Sequence, residues 1–494
     1  MAVNNSGEIA ARLDRLVFSF SIQKLVALVS LGAAFEFYDL FMTAYIAPGL
    51  VAAQLYTLTP SGFFAPDSIG FFVFCTFAGM WLGCVGFGFV ADRLGRRAIF
   101  TLSLLWYCLA TMVMAFQHSA AGIDLWRFIA AIGVGLEQVT IDTLLPELVP
   151  ARGRGRAFAI SQFIAFSAVP IVALLAWKLV PLHPFGLEGW RCVALIGSLG
   201  ALAAWWLRLA VPESPRWLAL HSRGAEAESV MVGLEAKVAR DIGHALPLER
   251  FQEKCEAVFR PEPQPNKEIE HFRDSTKREN ALVPPHDTAL PQRASLREIF
   301  GPSYRRRTLM LSVFNGMQSI AFYGFGSWVP SLLIARGIHV TASLEYAFII
   351  ALANPVGPLL GVLVADRMER KAQLVTAGIC VAVFMLLFAL QTQTLLVLLF
   401  GVLVTLSINW ISFACHNYQA ELYPTRMRAR AIGFVYSWSR ISAALTGLLI
   451  GFFLRQGGTF GVACFIGGAM AVMVVTIGFF GPPTLNRRLE EISR

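Results

Sequence analysis

The chain has 494 residues, 56% of them apolar and only 15% charged, with a mean hydropathy of +0.60. Soluble domains carry about 25% charged residues, so this composition excludes an ordinary soluble enzyme and points to the bilayer. The net charge of +9 is spread over short loops between apolar runs, which reads as a topology code and argues against a nucleic-acid partner.

A polar leader with Arg12, Arg15 and Lys24 comes first. It has no apolar core and no small-residue cleavage site, so no signal peptide is expected. Twelve apolar runs follow, at 22–46, 68–90, 98–117, 123–147, 157–180, 191–211, 306–334, 343–365, 372–392, 396–420, 431–454 and 458–481. Each approaches the roughly 20 residues that cross a bilayer as a helix. The expected fold is an all-α membrane protein, with twelve transmembrane helices in two six-helix pseudo-symmetric halves, 1–218 and 305–494. Between them, 219–304 reads as a cytoplasmic linker. Its part 224–259 has an amphipathic pattern, 260–292 has the Pro-rich charged composition of disorder, and Ser295 with Glu298 resembles a capping box before span 7.

The loops alternate in charge. Arg93, Arg96 and Arg97 follow span 2, Arg152, Arg154 and Arg156 follow span 4, Arg367, Arg370 and Lys371 follow span 8, and Arg426, Arg428 and Arg430 follow span 10. Loops 47–66 and 391–394 contain no Lys or Arg. By the positive-inside rule both termini are cytoplasmic, in a plasma (inner) membrane. The eight cysteines form no C-x-x-C pair, so neither a metal site nor a disulfide framework is expected, and no cofactor is implied.

Two patterns recur. Gly88-Phe-Val-Ala-Asp92-Arg93-Leu-Gly95-Arg96-Arg97 returns in degraded form as residues 362–371, with Asp366 and Arg367, and Glu147 through Ala157 returns as Glu421 through Ala431. Both repeats lie 274 positions apart (366 − 92 and 421 − 147), which marks a tandem duplication of the kind found in secondary transporters. Gly95 permits a tight turn, Asp92 can accept from backbone N–H groups or an arginine, and the arginines hold the loop at the headgroups. The candidate gating set is Gly88, Asp92, Arg93, Gly95, Arg96, Arg97, Glu147, Arg156, Glu213, Arg216, Asp366, Arg367, Glu421 and Arg430. The alternative is that these residues are topology anchors alone.

The motif G-x-x-x-D-R-x-G-R-R, complete in the first half and degraded in the second, resembles the signature of the major facilitator superfamily. Pro212-Glu213-Ser214-Pro215-Arg216-Trp217-Leu218 is similar to the motif that closes the first half of sugar porters and organic-ion transporters. Arg127 through Gly135 resembles their span 4 opening, and Gly481 through Ile492 their C-terminal ending. The resemblance implies a twelve-helix bundle with alternating access around a central site. Span 7 reads Asn315-Gly-Met-Gln318-Ser319, and His416 stands five residues before Glu421 where sugar porters carry Trp. In both places the chain departs from sugar porters, and Ala420 through Thr425 looks closer to organic-ion transporters.

Ionisable residues inside spans point to function, because charge in the bilayer is expensive. At about 1.5 Å per residue, Asp39 in span 1 and Arg127 at the start of span 4 reach the same outer level. This pair, with Glu36 one turn away as an alternative carrier, is the proton-coupling candidate, and it resembles the acid–arginine pair of proton-coupled sugar porters. Glu137 and Arg440 fall near the midplane, and Arg440 has two open readings, a partner for Glu137 or a ligand for a substrate carboxylate. The latter accords with the arginine that organic-anion carriers place on this helix. Gln318, Tyr323, Asn409, Trp410 and Trp438 complete the candidate substrate site, and Asp142 with His416 a candidate inner relay. The expected function is proton-coupled symport of a small organic acid, a monocarboxylate, by a functional monomer whose partners are substrate, protons and the lipid bilayer. The alternatives are a sugar or polyol symporter, a drug–proton antiporter or a transporter-like nutrient sensor. No G-x-S-x-G, H-E-x-x-H or P-loop pattern occurs, so an enzyme is not expected.

Overall fold

In the computed structural model, the structure describes residues 2–58, 62–150, 153–209, 211–243, 296–302, 304–359, 368–423 and 425–484. Within these, the side chains of 2–7, 10, 87–94, 96, 139, 142, 143, 185, 296, 297, 417, 420, 425, 426 and 428–430 are not described. The N-terminal half contains α1 (Ala2–Arg15), α2 (Phe20–Ala52), α3 (Ile69–Leu94), α4 (Arg96–Ala115), α5 (Ala120–Leu148), α6 (Arg154–Leu179) and α7 (Gly189–Arg208). Two short helices follow, α8 (Pro215–Leu220) and α9 (Gly224–Ile242). The C-terminal half contains α10 (Arg305–Gly326), α11 (Val329–Ala335), α12 (Val340–Ala351), α13 (Arg370–Leu390), α14 (Thr394–Glu421) and α15 (Thr425–Phe480).

Nine segments among the described residues are long and apolar enough to cross a membrane. The last of them is two helices, because α15 is broken at Gly457 and Gly458, where φ reaches +58° at Gly458. Helices α5 and α10 complete the twelve. They fall below the apolar standard of the rest because they carry the polar interior, with Asp124, Arg127 and Glu137 on α5 and Asn315 and Gln318 on α10. The span expected over 306–334 is two helices, α10 and α11, separated at Ser327 and Trp328.

Lipid tails are as apolar as the helices themselves, so association rests on close packing of small residues. Gly79 and Gly83, one turn apart on α3, admit α5 so closely that a Cβ at either would lie 2.4 Å from the Phe128 carbonyl or 2.2 Å from that of Ile132. Across the halves, a Cβ on Gly70 of α3 would stand 2.9 Å from the Gly447 carbonyl of α15.

A second, smaller core lies at the end of the bundle that carries the basic loops. Leu13 of α1 and Leu16 just beyond it pack with Trp217 and Leu218 of α8 and with Met231, Leu234 and Val238 of α9. Arg12 donates to Glu228 at 2.7 Å and to Glu235 at 2.8 and 2.9 Å, contacts that hold its guanidinium above the ordinary arginine range despite partial burial. The amphipathic helix expected in the linker is α9. The expected disorder over 260–292 and the capping serine Ser295 lie outside the described residues.

Candidate functional site

A cavity of about 870 Å³, counted to its open mouth, lies between the halves. Helices α2, α5 and α6 supply Glu36, Phe37, Gln138, Ser161, Gln162 and Phe166, and α10, α14 and α15 supply Gln318, Phe322, Tyr323, Ser412, His416, Tyr436 and Ser439. Its lining runs from mid-helix positions on α2 and α10 to Leu145 and Phe158, within one or two turns of the basic-loop ends of α5 and α6. The cavity therefore faces the basic-loop end. At the other end, Phe41, Phe166 and Phe322 bring their rings within 6.3 Å of one another in two pairs, and Phe37 stacks edge-on against Phe166 at 4.9 Å. Beyond this aromatic partition lies a smaller space of about 370 Å³ lined by Phe41, Tyr45, Phe325, Asn354, Thr405 and Asn409.

Arg440 lies directly behind the wall of the main cavity, bonded to the lining residues Tyr323 and Gln138, and is 1% exposed. One terminal nitrogen donates to the Tyr323 hydroxyl and the other to the Gln138 side-chain oxygen, across the two halves. Its guanidinium also lies 5.1 Å from the Tyr436 ring and 5.5 Å from that of Tyr323. Among the described residues no carboxylate forms an ion pair with it. An arginine cannot shed its charge in a protein, so this is a buried cation held by neutral acceptors and aromatic faces.

Asp39 and Arg127 meet as the sequence suggested. The carboxylate accepts from Arg127 at 2.8 Å and from the Thr111 hydroxyl at 2.9 Å, while Arg127 donates further to the Asp39 carbonyl and to Thr76, each at 3.0 Å. Both residues are buried. Glu36, 2% exposed, lies on the cavity wall instead of in this cluster.

Other expectations are corrected. Glu137 does not meet Arg440: it is sealed in an ion pair with Arg208 at the end of α7, which also donates to the Phe100 carbonyl at 2.7 Å and lies over the Phe100 ring. Adjacent positions on a helix point about 100° apart, so Glu137 and Gln138 serve different neighbours. Asn409 pairs with Asn354 at 3.3 Å and lines the smaller space. Trp410 donates to Gln373 at 3.4 Å. Trp438 is 43% exposed and packs on Phe434; neither tryptophan lines the main cavity. Gln318, Tyr323 and His416 do line it. The residues missed by sequence reasoning are Gln138, Ser161, Gln162, Thr76, Thr111 and Arg208. Arg208 closes a span, where it reads as an interfacial anchor.

Of the gating set, Glu213 accepts from the Arg97 backbone N–H at 3.1 and 3.2 Å, which satisfies an N-terminal donor of α4. Gly95 makes this possible: its φ is +102°, and a Cβ would lie 2.6 Å from Glu213. Arg216 donates to Asp14 at 2.7 Å, and Glu421 lies 3.5 Å from Arg370. Glu147 is half-buried at the end of α5 and Arg156 is exposed on α6. Asp366, Arg367 and the side chains of Asp92, Arg93, Arg96, Asp142 and Arg430 lie outside the described residues, and Gly88 falls within α3.

A family profile described as "Sugar (and other) transporter" matches residues 25–494. The chain belongs to the sugar (and other) transporter family. Among the relatives of this transporter are a metabolite transport protein of Bacillus subtilis, 26% identical over 97% of this chain and 96% of that one, and the niacin transporter of Acinetobacter baylyi, 26% identical over 90% of each. The xylose transporter of E. coli, in a partially occluded inward open conformation, superposes with a TM-score of 0.71 over 94% of this chain and 99% of its own, at 18% identity. That likeness shows the fold, the twelve-helix major facilitator bundle in two halves. The protein is a multi-pass membrane transporter and not an enzyme.

Proposed function

We propose that the protein is a proton-coupled symporter of a small organic acid, a monocarboxylate, which works by alternating access as a functional monomer. Its place is the plasma (inner) membrane, with both termini cytoplasmic. The observation that carries this reading is Arg440, a fully buried guanidinium behind the cavity wall, held by the neutral lining acceptors Tyr323 and Gln138 with no ion-paired carboxylate among the described residues. A buried cation lacking an anion is costly, and an incoming carboxylate supplies one with fork-shaped hydrogen bonding. The aromatic walls at Phe37, Phe166, Phe322 and Tyr436 accept the apolar body of such a substrate. The relative named for niacin transport is in keeping with this.

Asp39 is the proton carrier. Protonation of its carboxyl cancels the charge that holds Arg127, and the released arginine has Thr76 and the Asp39 carbonyl left as partners. Loading and release of one proton thus reorganise a buried cluster on α2, α3, α4 and α5. The contact of Glu213 with the start of α4 and that of Glu421 with Arg370 lie at the basic-loop ends, where the gate toward the cytoplasm closes.

A sugar or polyol symporter is the second reading. It is favoured by the uncharged hydrogen-bonding groups Ser161, Gln162 and Gln318 in the lining. Uptake into proteoliposomes under an acid-outside gradient separates the two. Carboxylate accumulation that collapses with a protonophore, and falls at least tenfold in Arg440→Ala, is expected. Accumulation of sugars with carboxylates excluded would reverse the order of the readings.

A further inference from the structure

We infer that Gln138 is an internal stand-in for the substrate carboxylate: its amide oxygen holds Arg440 across the two halves until substrate displaces it, so binding and release of this cross-half bond are one event. The inference rests on the reading of Arg440 as the carboxylate site.

The geometry carries it in three steps. Arg440 is on α15 and Gln138 on α5, so their hydrogen bond joins the C-terminal half to the N-terminal half at the cavity wall. The other acceptors, the hydroxyls of Tyr323 and, at 3.5 Å, Tyr436, belong to the same half as Arg440 and hold it whichever way the halves rock. Gln138 itself lines the cavity, so a ligand can reach the bond from the open side.

The acceptor is neutral. An amide oxygen satisfies one donor of the guanidinium but leaves its charge uncompensated, whereas a carboxylate satisfies two donors and the charge together. Arg440 also has a donor to spare, because its Nε has no hydrogen-bond partner. Gln138 is thus an acceptor good enough to keep the empty site ordered and weak enough to yield. The neighbouring Glu137 shows what a charged acceptor does on this helix: it locks Arg208 in a sealed pair. A glutamine at 138 avoids such a lock on Arg440.

The consequence is a rule for coupling. While the bond stands, the empty carrier is tied across its halves and crosses slowly, so a protonated carrier without substrate leaks few protons and the return of the deprotonated one is the slow step. Substrate replaces the tie with contacts to Arg440 and frees the halves to rock.

Two substitutions test this in full-length protein reconstituted into liposomes, with nicotinate and benzoate as binding probes and an entrapped pH dye as the leak probe. Gln138→Leu removes the competing acceptor and the tie. It is expected to bind the probes several-fold more tightly and to pass protons without substrate at a rate several-fold above wild type. Gln138→Glu supplies the carboxylate internally. It is expected to lose probe binding by roughly tenfold or more while remaining proton-tight. Unchanged probe affinity together with no leak in Gln138→Leu would overturn the inference, as would wild-type probe binding in Gln138→Glu. The leak assay needs no substrate, so it judges the cross-half tie separately. Retained carboxylate binding in Arg440→Ala would instead sink the anion reading and, with it, the stand-in role.

Discussion

Single residues in this protein are decided by what a buried charge can find. Asp39 is 4% exposed and held by Arg127 and Thr111. Asp39→Asn keeps a hydrogen-bonding side chain but cannot cycle a proton. The variant is expected to lose uphill accumulation in a pH gradient while substrate exchange at equal pH persists within a few-fold. Loss of both activities in a folded variant would assign Asp39 to substrate binding. Glu137 and Arg208 answer to a different rule. Their pair is completely buried, and Gly32 provides the room, since a Cβ there would fall on the Arg208 guanidinium. Arg208→Met should therefore strand the Glu137 carboxylate at a cost of about 3–5 kcal/mol, and pairing it with Glu137→Gln should restore most of that. Thermal unfolding of the two variants in detergent checks this, and equal destabilisation of both would remove the stranded charge as its cause. Asp39 with Arg127 was legible in the sequence because two rare charges fell at matching depth. The Glu137 partner was not, because depth along a helix says nothing of its azimuth, and Arg440 and Arg208 approach neighbouring positions from opposite sides.

At the scale of elements, the linker helix is read best through its caps and docking contacts. Helix α9 carries apolar residues at Ala227, Met231, Leu234 and Val238, spaced to form one buried stripe. That stripe made the helix visible in the sequence. Its dock against α1 was not visible, because Arg12 and Asp14 look like ordinary leader charges until Glu228, Glu235, Arg154 and Arg216 surround them. Asp241, at the far end of α9, accepts from the Ser21 backbone N–H at the start of α2 at 2.6 Å. The polar groups of Ser19 and Ser21 around it favour the carboxylate and keep its pKa below the ordinary aspartate value of about 3.9. A carboxyl whose folded value is depressed adds stability above its unfolded pKa and loses it as pH falls through the folded value. The contact is expected to be whole at pH 6 and to fade below about pH 4. Hydrogen exchange at Ser21, corrected for its intrinsic rate, should then accelerate in wild type but change little across this range in Asp241→Asn. Constant protection in wild type down to pH 3 would detach the helix end from this acid.

The whole molecule combines a duplicated scaffold with an unduplicated interior. The 274-residue repeat made the two halves legible, since loop motifs tolerate little change in their turn and charge chemistry. The cavity was harder to read, because it is assembled from six helices whose lining residues share no spacing. Trp410 and Trp438 fell at a suitable depth and yet face Gln373 and the exterior. What the interior does show is direction. The main cavity approaches the basic-loop end, and the rings of Phe41, Phe166 and Phe322 stand between it and the smaller space beyond. If the basic loops are cytoplasmic, as the positive-inside rule requires, the main cavity of this structure faces the cytoplasm. A cysteine at Ser161, in the main lining, should then react with a membrane-impermeant thiol reagent at least tenfold faster in inside-out vesicles than in intact cells. A cysteine at Thr405, in the space beyond the rings, should stay slow from that same side. The native cysteines are replaced beforehand, and a C-terminal tag reports orientation separately. Fast labelling of Ser161→Cys from outside with a cytoplasmic tag would mean that the resting cavity opens outward. The same labelling with an external tag would overturn the topology, because the basic loops and the cavity mouth lie at one end of the bundle and must change sides together.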